Sequence, residues 1–381
     1  MSSILQIAVC STNADEPTRA RLRMYFVRRR KRGRGMRISS VFGEKFSQRD
    51  ARIASYELIR RFIADHHDTL DTVNLVAEFT GNYLRPLSDA DFAFLLCHSG
   101  YIPEEYGHDS SEETAYSKLV EVLVKEWAIR LGFSDSQCPT AKSSKEDVTI
   151  KGAGNVIVCD AKAYRLGRSQ RAPNVKDALK EGDISKWLKA YQNDGLRQLG
   201  GLVTFPSQHN WTKGSDFYLY LTNKTQPIVC LFYEHMAFLV LMFGQSGAHE
   251  GRERLIELYL RYGSVFPVQL TKQEFNQIKY WTAVEQKLFY NINTNWLTFC
   301  KAASKVVAEQ AYHTKRSALD HVNFVKQLKK NALDADRTLT LDILRDKLAE
   351  MEAKYELSDV LRQIPCIENF RSVAKDYYVN E

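Results

Sequence analysis

The chain has 381 residues, of which 44% are hydrophobic and 11% aromatic. That is enough apolar material for a substantial core, and it excludes disorder for most of the chain. The formal net charge is only +7 and the seven cysteines are scattered without a CxxC pair, which excludes a secreted disulfide framework and a cysteine zinc site.

The chain start and the apolar segments predict a soluble cytoplasmic protein with no membrane partner. No positively charged segment precedes the short apolar run in residues 1–10, as it would in a signal peptide. The longest apolar stretch, residues 236–243, is too short to span a bilayer. Reduced cysteines fit the same compartment.

Ten basic residues lie between Arg19 and Arg37, and Gly33 and Gly35 interrupt any helix there. Clustered guanidinium groups displace condensed counterions, so a flexible arm that binds DNA phosphates is one interpretation. A solvated tail is the other, and the residues alone leave both open. The densest run consists of Arg28, Arg29, Arg30, Lys31 and Arg32.

Residues 49–97 repeat their apolar positions at helical spacing, and Ser88-Asp89 is a helix start signal. A further helix is predicted from Ser110 to about Leu131, with a capping box at its start. Glu112 and Glu113 fall near its apolar side, where a carboxylate needs a partner or a metal. The buried stripe is expected to comprise Tyr116, Leu119, Val120, Leu123, Trp127 and Leu131, with Lys118, Glu121 and Lys125 pointing away.

After this helix, the spacing of the apolar residues changes from helical to strand-like. Residues 147–164 predict two short strands around Gly152-Ala153-Gly154-Asn155, and β-like runs follow at 201–205, 217–222 and 228–233. Between them lies a polar, basic stretch, and from about residue 248 the chain is predicted to be helical again, for example at 254–262, 272–297 and 339–354. The predicted fold class is α/β: a small mixed sheet flanked by helices, with helical N- and C-terminal regions.

Asp160 and Lys162 are two residues apart on a strand, so their side chains leave the same face. If Ala153-Gly154 forms a two-residue turn, Asp147 lies directly opposite Asp160, with Cβ atoms about 4.5–5.5 Å apart. A three-residue loop would turn Asp147 to the other face.

Two carboxylates at such a short distance repel each other unless a cation lies between them. Because both supply only oxygen ligands, the pair suits Mg²⁺. A nearby lysine can hold or deprotonate the attacking water and stabilise the phosphate, so the three groups form a phosphodiester-cleaving arrangement. Glu113 is predicted as a further acid from the helix beneath the sheet. The plain alternative is a surface ion pair between Asp160 and Lys162 of little energetic value.

Residues 158–168, VCDAKAYRLGR, resemble the catalytic strand and following loop of the HindIII-type restriction endonucleases, within the PD-(D/E)xK nuclease superfamily. Residues 99–104, 112–118, 146–150 and 228–240 are similar to segments of the same family in the same order. Glu146 stands where the family has a proline, and the basic arm and the helical C-terminus have no counterpart.

The resemblance implies a restriction-endonuclease-like core in a homodimeric type II enzyme that hydrolyses both strands of double-stranded DNA with Mg²⁺. It implies that Asp147 and Asp160 ligate the metal, that Lys162 positions the attacking water and that Glu113 is an auxiliary acid. A cognate DNA methyltransferase is implied as a partner. The expected division is a basic arm and helical region over 1–108, a catalytic core over 109–245 and a helical region over 246–381, which could form one compact unit.

Arg165, Arg168, Gln170 and Arg171 follow the catalytic strand, where DNA is expected to lie. Such side chains read base edges or bind phosphates, and phosphate contact is favoured. For Glu234-His235, a structural histidine is favoured over acid–base work. A repair, junction-resolving or nicking nuclease on the same scaffold, or a non-catalytic DNA-binding protein, remains the alternative function. The sequence contains no Walker loop, so ATP-driven translocation is not expected.

Overall fold

The computed structural model describes residues 37–139, 145–166, 181–206, 221, 226–266, 277–289, 293–335, 342–358, 360–361 and 364. The predicted basic arm from Arg28 to Arg32 lies outside these residues, as does nearly all of the predicted strand at 217–222.

Short helices form the first part of the described chain. Side-chain caps begin two of them: Asp71 accepts the N–H of Asn74 at 2.8 Å, and Ser88 accepts that of Asp91 at 3.1 Å. The helices are α1 (Ser39–Phe42), α2 (Arg49–Tyr56), α3 (Leu58–His66), α4 (Thr72–Glu78) and α5 (Asp89–Ser99), with a 3₁₀ turn at Glu44–Ser47 and a π-helix at Phe79–Leu84.

Helix α6 (Ser111–Arg130) begins where the sequence predicted. The Ser110 hydroxyl accepts the N–H of Glu113 at 3.2 Å and caps the first turn. All six residues of the predicted stripe are buried, but Val122, Val124 and Ala128 are buried as well. The helix therefore packs on more than one side.

The described residues form six strands in two sheets. The strands are β1 (Tyr101–Ile102), β2 (Val148–Gly152), β3 (Asn155–Ala161), β4 (Tyr164–Arg165), β5 (Arg197–Phe205) and β6 (Ile228–Phe232). The main sheet has the order β2-β3-β5-β6, with β2 and β3 antiparallel and the other neighbours parallel, while β1 and β4 pair in parallel separately. This confirms the predicted α/β class with a small mixed sheet.

The main sheet is buried on both faces. Residues 155–160 of β3 are all buried, and successive side chains of a strand point to opposite faces. Helix α6 contacts β2 and β3, and α7 (Glu181–Lys189) contacts β3 and β5. A Cβ atom at Gly201 would lie 2.6 Å from Ile184 Cγ2, so α7 packs directly on β5. The β2–β3 hairpin is thus held between layers of helices.

The C-terminal half is helical, as predicted, although the helix expected over 272–297 does not run through its whole range. Helix α8 packs most extensively against α5. No helix in the described parts of the chain has the length and apolarity needed to cross a membrane. The helices are α8 (Tyr233–Phe243), α9 (Ala248–Leu260), α10 (Tyr262–Val265), α11 (Gln277–Leu288), α12 (Asn293–Ala335) and α13 (Asp342–Glu356), with a 3₁₀ turn at Gln245–Gly247.

The described residues from Ile38 onward form one compact unit. Helix α12 contacts α5 and α8, and then pairs with α13 through Val322, Val325 and Ala353. The three-part division at residues 108 and 245 stays a prediction.

Arg130 joins the end of α6 to the N-terminal helices. Its buried guanidinium contacts Glu126 Oε1 at 2.9 Å and Asp89 Oδ1 at 2.8 Å. It also donates to the carbonyls of Leu84 and Leu87, each at 3.0 Å. Removing the guanidinium leaves two acidic groups without their counter-ion.

We expect Arg130→Met to destabilise the fold by about 3–5 kcal/mol, as breaking a buried ion pair does. Equilibrium urea unfolding measures the loss. The matched control is Arg316→Met, since Arg316 lies 3.8 Å from Asp320 with both side chains exposed, and we expect a change below about 1 kcal/mol. Equal effects of the two substitutions would contradict the network's role.

Candidate active site

The β2–β3 hairpin has the register that the sequence predicted. Ala153 and Gly154 have φ values of 49° and 74°, which is the left-handed backbone of a two-residue turn. Gly152 pairs with Asn155 and Val148 with Cys159. One step further, the N–H of Asp147 donates to the carbonyl of Cys159 at 3.0 Å. The ladder ends at Val148–Cys159, and the Asp147 side chain lies next to Asp160, because its Oδ2 accepts the N–H of the following residue, Ala161.

Asp160 and Lys162 lie together at the end of β3. Lys162 Nζ is 2.6 Å from Asp160 Oδ1, and the Asp160 side chain is 6% exposed. The second oxygen, Asp160 Oδ2, is buried and has no hydrogen-bond partner among the described residues. An unpartnered buried carboxylate oxygen is costly, so this atom is available for a cation.

The backbone N–H of Ala161 donates to Asp147 Oδ2 at 2.8 Å. Burial, the negative charges of Glu121 and Asp160 and a side-chain hydrogen bond to Asp160 raise the pKa of Asp147 from 3.8 to about 8, against the opposing effect of the Ala161 N–H. These surroundings therefore disfavour the charged form of Asp147.

Glu121 of α6 is the acidic residue that the sequence interpretation missed. Burial, together with the charge of Asp160, raises its pKa, while Lys118 opposes the shift. The prediction that Glu121 points away was wrong, because α6 is buried on more than one side. The signal was a lone carboxylate inside the apolar run from Val120 to Val124. Glu121, Asp147 and Asp160 are called the carboxylate cluster below.

Glu113 is not brought into this cluster. Its Oε2 accepts the N–H of Asp109 at 2.7 Å, and its Oε1 lies 3.0 Å from Nη2 of Arg165. Eight residues of helix separate it from Glu121, or about 12 Å. Both oxygens are thus used at the start of α6, which corrects the expectation that Glu113 is the acid beneath the sheet.

Arg165 is also placed differently from the expectation. Its side chain is 7% exposed, and Nη1 donates to the carbonyls of Pro103 at 2.9 Å and Glu104 at 3.3 Å. With Glu113 on Nη2, the guanidinium is committed to the protein rather than free for DNA. The other predicted DNA contacts, Arg168, Gln170 and Arg171, lie outside the described residues.

Glu146, which stands where the resembled family has a proline, is buried. Its carboxylate accepts hydrogen bonds from Thr149 Oγ1 at 2.6 Å and from the hydroxyl of Tyr191. These bonds hold the backbone that leads into Asp147. Glu146 therefore supports the hairpin through side-chain contacts.

His235 is a structural residue, as favoured from the sequence. Its Nδ1 accepts the N–H of Phe232 at 3.2 Å, and Nε2 lies 3.3 Å from Glu285 Oε1. Neither oxygen of the adjacent Glu234 has a hydrogen-bond partner among the described residues, and burial raises its pKa to about 8. Tyr233 supports the active strand, because its hydroxyl donates to the carbonyl of Lys162 at 3.0 Å.

The chemistry of this end of the hairpin fits a hard divalent cation. Asp147 and Asp160 supply oxygens alone, and one of those oxygens is buried without a partner. Within the described ranges, no group of three or more histidine, cysteine or acidic side chains is arranged to hold a metal ion. The two aspartates therefore suit a cation that keeps water in its remaining positions.

Comparison with known proteins identifies the family. The model of the HindIII restriction endonuclease family matches residues 57–355, well over half of the chain. A solved structure, the small subunit of the heterodimeric restriction endonuclease R.BspD6I, has a TM-score of 0.30 and 14% identity, covering 48% of this chain and 88% of that one. No curated protein matches at a significant level. The chain belongs to the HindIII restriction endonuclease family, whose members are site-specific deoxyribonucleases.

Proposed function

We propose that the chain hydrolyses both strands of duplex DNA at a specific sequence with Mg²⁺, as a type II restriction endonuclease. The observation that carries this proposal is the meeting of Asp147, Asp160 and Lys162 at one end of the hairpin, where Asp160 Oδ2 is buried and has no hydrogen-bond partner in the part of the chain that the structure describes. Membership of the HindIII restriction endonuclease family implies that the substrate is DNA.

In this proposal Asp147 and Asp160 hold the cation, and Glu121 takes the auxiliary acidic role first expected of Glu113. When bound, the cation supplies Lewis-acid stabilisation of the phosphate and lowers the pKa of water. Lys162 orients the attacking water and stabilises the negative charge that develops on the phosphate. Burial of these groups strengthens each electrostatic interaction.

The proposed partners follow from the same reaction. The two strands of duplex DNA are related by a two-fold axis, so two active sites related in the same way can cut both strands, and we propose a homodimer. A cell that contains such an activity has to protect its own recognition sites, and a cognate DNA methyltransferase is the proposed protecting partner.

With Mg²⁺, we expect plasmid DNA to give discrete fragments, and Lys162→Ala to slow cleavage by about 10²–10³-fold, the usual cost of losing one charge-stabilising group. Binding of the same DNA in Ca²⁺ is expected to remain. Lys151→Ala is the matched control, because Lys151 lies on the same hairpin but pairs with Asp194 at 3.7 Å.

Three other outcomes of the cleavage assay would contradict part or all of this proposal. Random degradation would reject sequence specificity, and preferential cutting of branched or nicked DNA would favour a repair nuclease. Salt-sensitive binding without cleavage would favour a non-catalytic protein.

The Asp147→Asn variant tests the electrostatic repulsion among the carboxylates by measuring protein stability instead of activity. The folded-state pKa of about 8 exceeds the ordinary 3.8, so the wild-type protein in EDTA should lose up to about 1.4 kcal/mol of stability per pH unit as pH rises from about 4 to 8. The variant should flatten this slope and be more stable than the wild-type protein at pH 7. Urea unfolding across that range is the measurement.

Addition of Ca²⁺ should stabilise the wild-type protein more than Asp147→Asn, because a ligand that binds the folded state adds to its stability. The exposed Asp320→Asn serves as control and should follow the wild-type curve. A variant that is destabilised at every pH with an unchanged slope would refute the electrostatic account.

A further inference from the structure

A second lysine lies beside the carboxylate cluster. Lys118 Nζ is 2.5 Å from Glu121 Oε2, and the two residues are three positions apart on α6. Their side chains are 26% and 15% exposed. Lys118 thus reaches from partial solvent exposure to a carboxylate that is mostly buried.

Lys118 also lies in the electric field of Asp147. Burial lowers the pKa of Lys118, but the hydrogen bond to Glu121 and the charges of Glu121 and Asp147 outweigh this effect and raise it. On the hairpin, Lys162 is paired with Asp160. Each lysine therefore neutralises one member of the cluster, while among the described residues Asp147 has no ion pair.

This pairing indicates a role for Lys118 other than binding the metal or stabilising the phosphate. Without an ammonium group, the charge of Glu121 would add to those of Asp147 and Asp160 without a counter-charge. A lysine suits the task because its ammonium is compact and its stem is flexible. Its pairing with Glu121 also cancels negative charge that would otherwise attract a cation.

We propose that Lys118, by balancing the charge of Glu121, limits how tightly the site binds a divalent cation. The inference rests on the proposed function, because it needs a cation at the two aspartates. It predicts a coupling between a lysine that does not bind the cation and the affinity for that cation.

The test is calorimetric titration with Ca²⁺, without DNA, of the wild-type protein and Lys118→Met. We expect the variant to bind Ca²⁺ about 5- to 10-fold more tightly, within the usual range of coupling between sites. Lys118→Arg keeps the charge and should return to wild-type affinity. Lys151→Met removes a lysine of similar exposure from elsewhere on the hairpin and should leave the affinity unchanged.

A double-mutant cycle with Glu121→Gln identifies the partner. In the Glu121→Gln background, Lys118→Met should no longer tighten Ca²⁺ binding, because the charge that Lys118 balances is gone.

Unchanged Ca²⁺ affinity in a folded Lys118→Met protein would overturn this inference and leave the proposed nuclease function standing. If that variant does not fold, Lys118→Gln is judged by the same criterion. Absence of Ca²⁺ binding by the wild-type protein would overturn the inference together with the cation-dependent function.

Discussion

Mutual repulsion among Glu121, Asp147 and Asp160 is the constraint around which this end of the molecule is organised. Two of the acids come from facing strands and the third from a helix, so no local adjustment can separate them. Lys118 pairs with Glu121 and Lys162 pairs with Asp160, while burial and the neighbouring acids raise the pKa of Asp147. A nuclease site of this kind is therefore stored in a partly neutralised form.

The remainder of the structure fixes the hairpin against that repulsion. Both faces of the sheet are buried, and the two ends of the active segment are fastened by side chains. Glu146 holds the approach to Asp147 through Thr149 and Tyr191. Beyond Lys162, Arg165 is bonded to the carbonyls of Pro103 and Glu104. Polar groups that are otherwise costly to bury thus serve to hold the backbone.

The sequence predicted those features that depend on short-range periodicity. The turn length and the two-residue repeat of a strand determined the register of Asp147 and Asp160, and a serine cap determined the start of α6. Glu121 was placed wrongly, because the number of buried sides of a helix depends on tertiary packing. The prediction that Arg165 contacts DNA missed the protein contacts of its guanidinium for a related reason. No local pattern shows which distant carbonyl groups a guanidinium will contact. Helix α7 was missed within a stretch dominated by polar residues.

The left-handed turn at Ala153-Gly154 also restricts how this family member can diverge. Substitutions that tolerate positive φ leave the strands aligned, whereas a one-residue slip of the pairing reverses which face the side chains of one strand occupy. An insertion that the loop itself takes up keeps the facing pairs, but one that shifts the pairing by a single residue turns one of the two strands over. A change of the second kind would preserve the scaffold and separate Asp147 from Asp160 and Lys162.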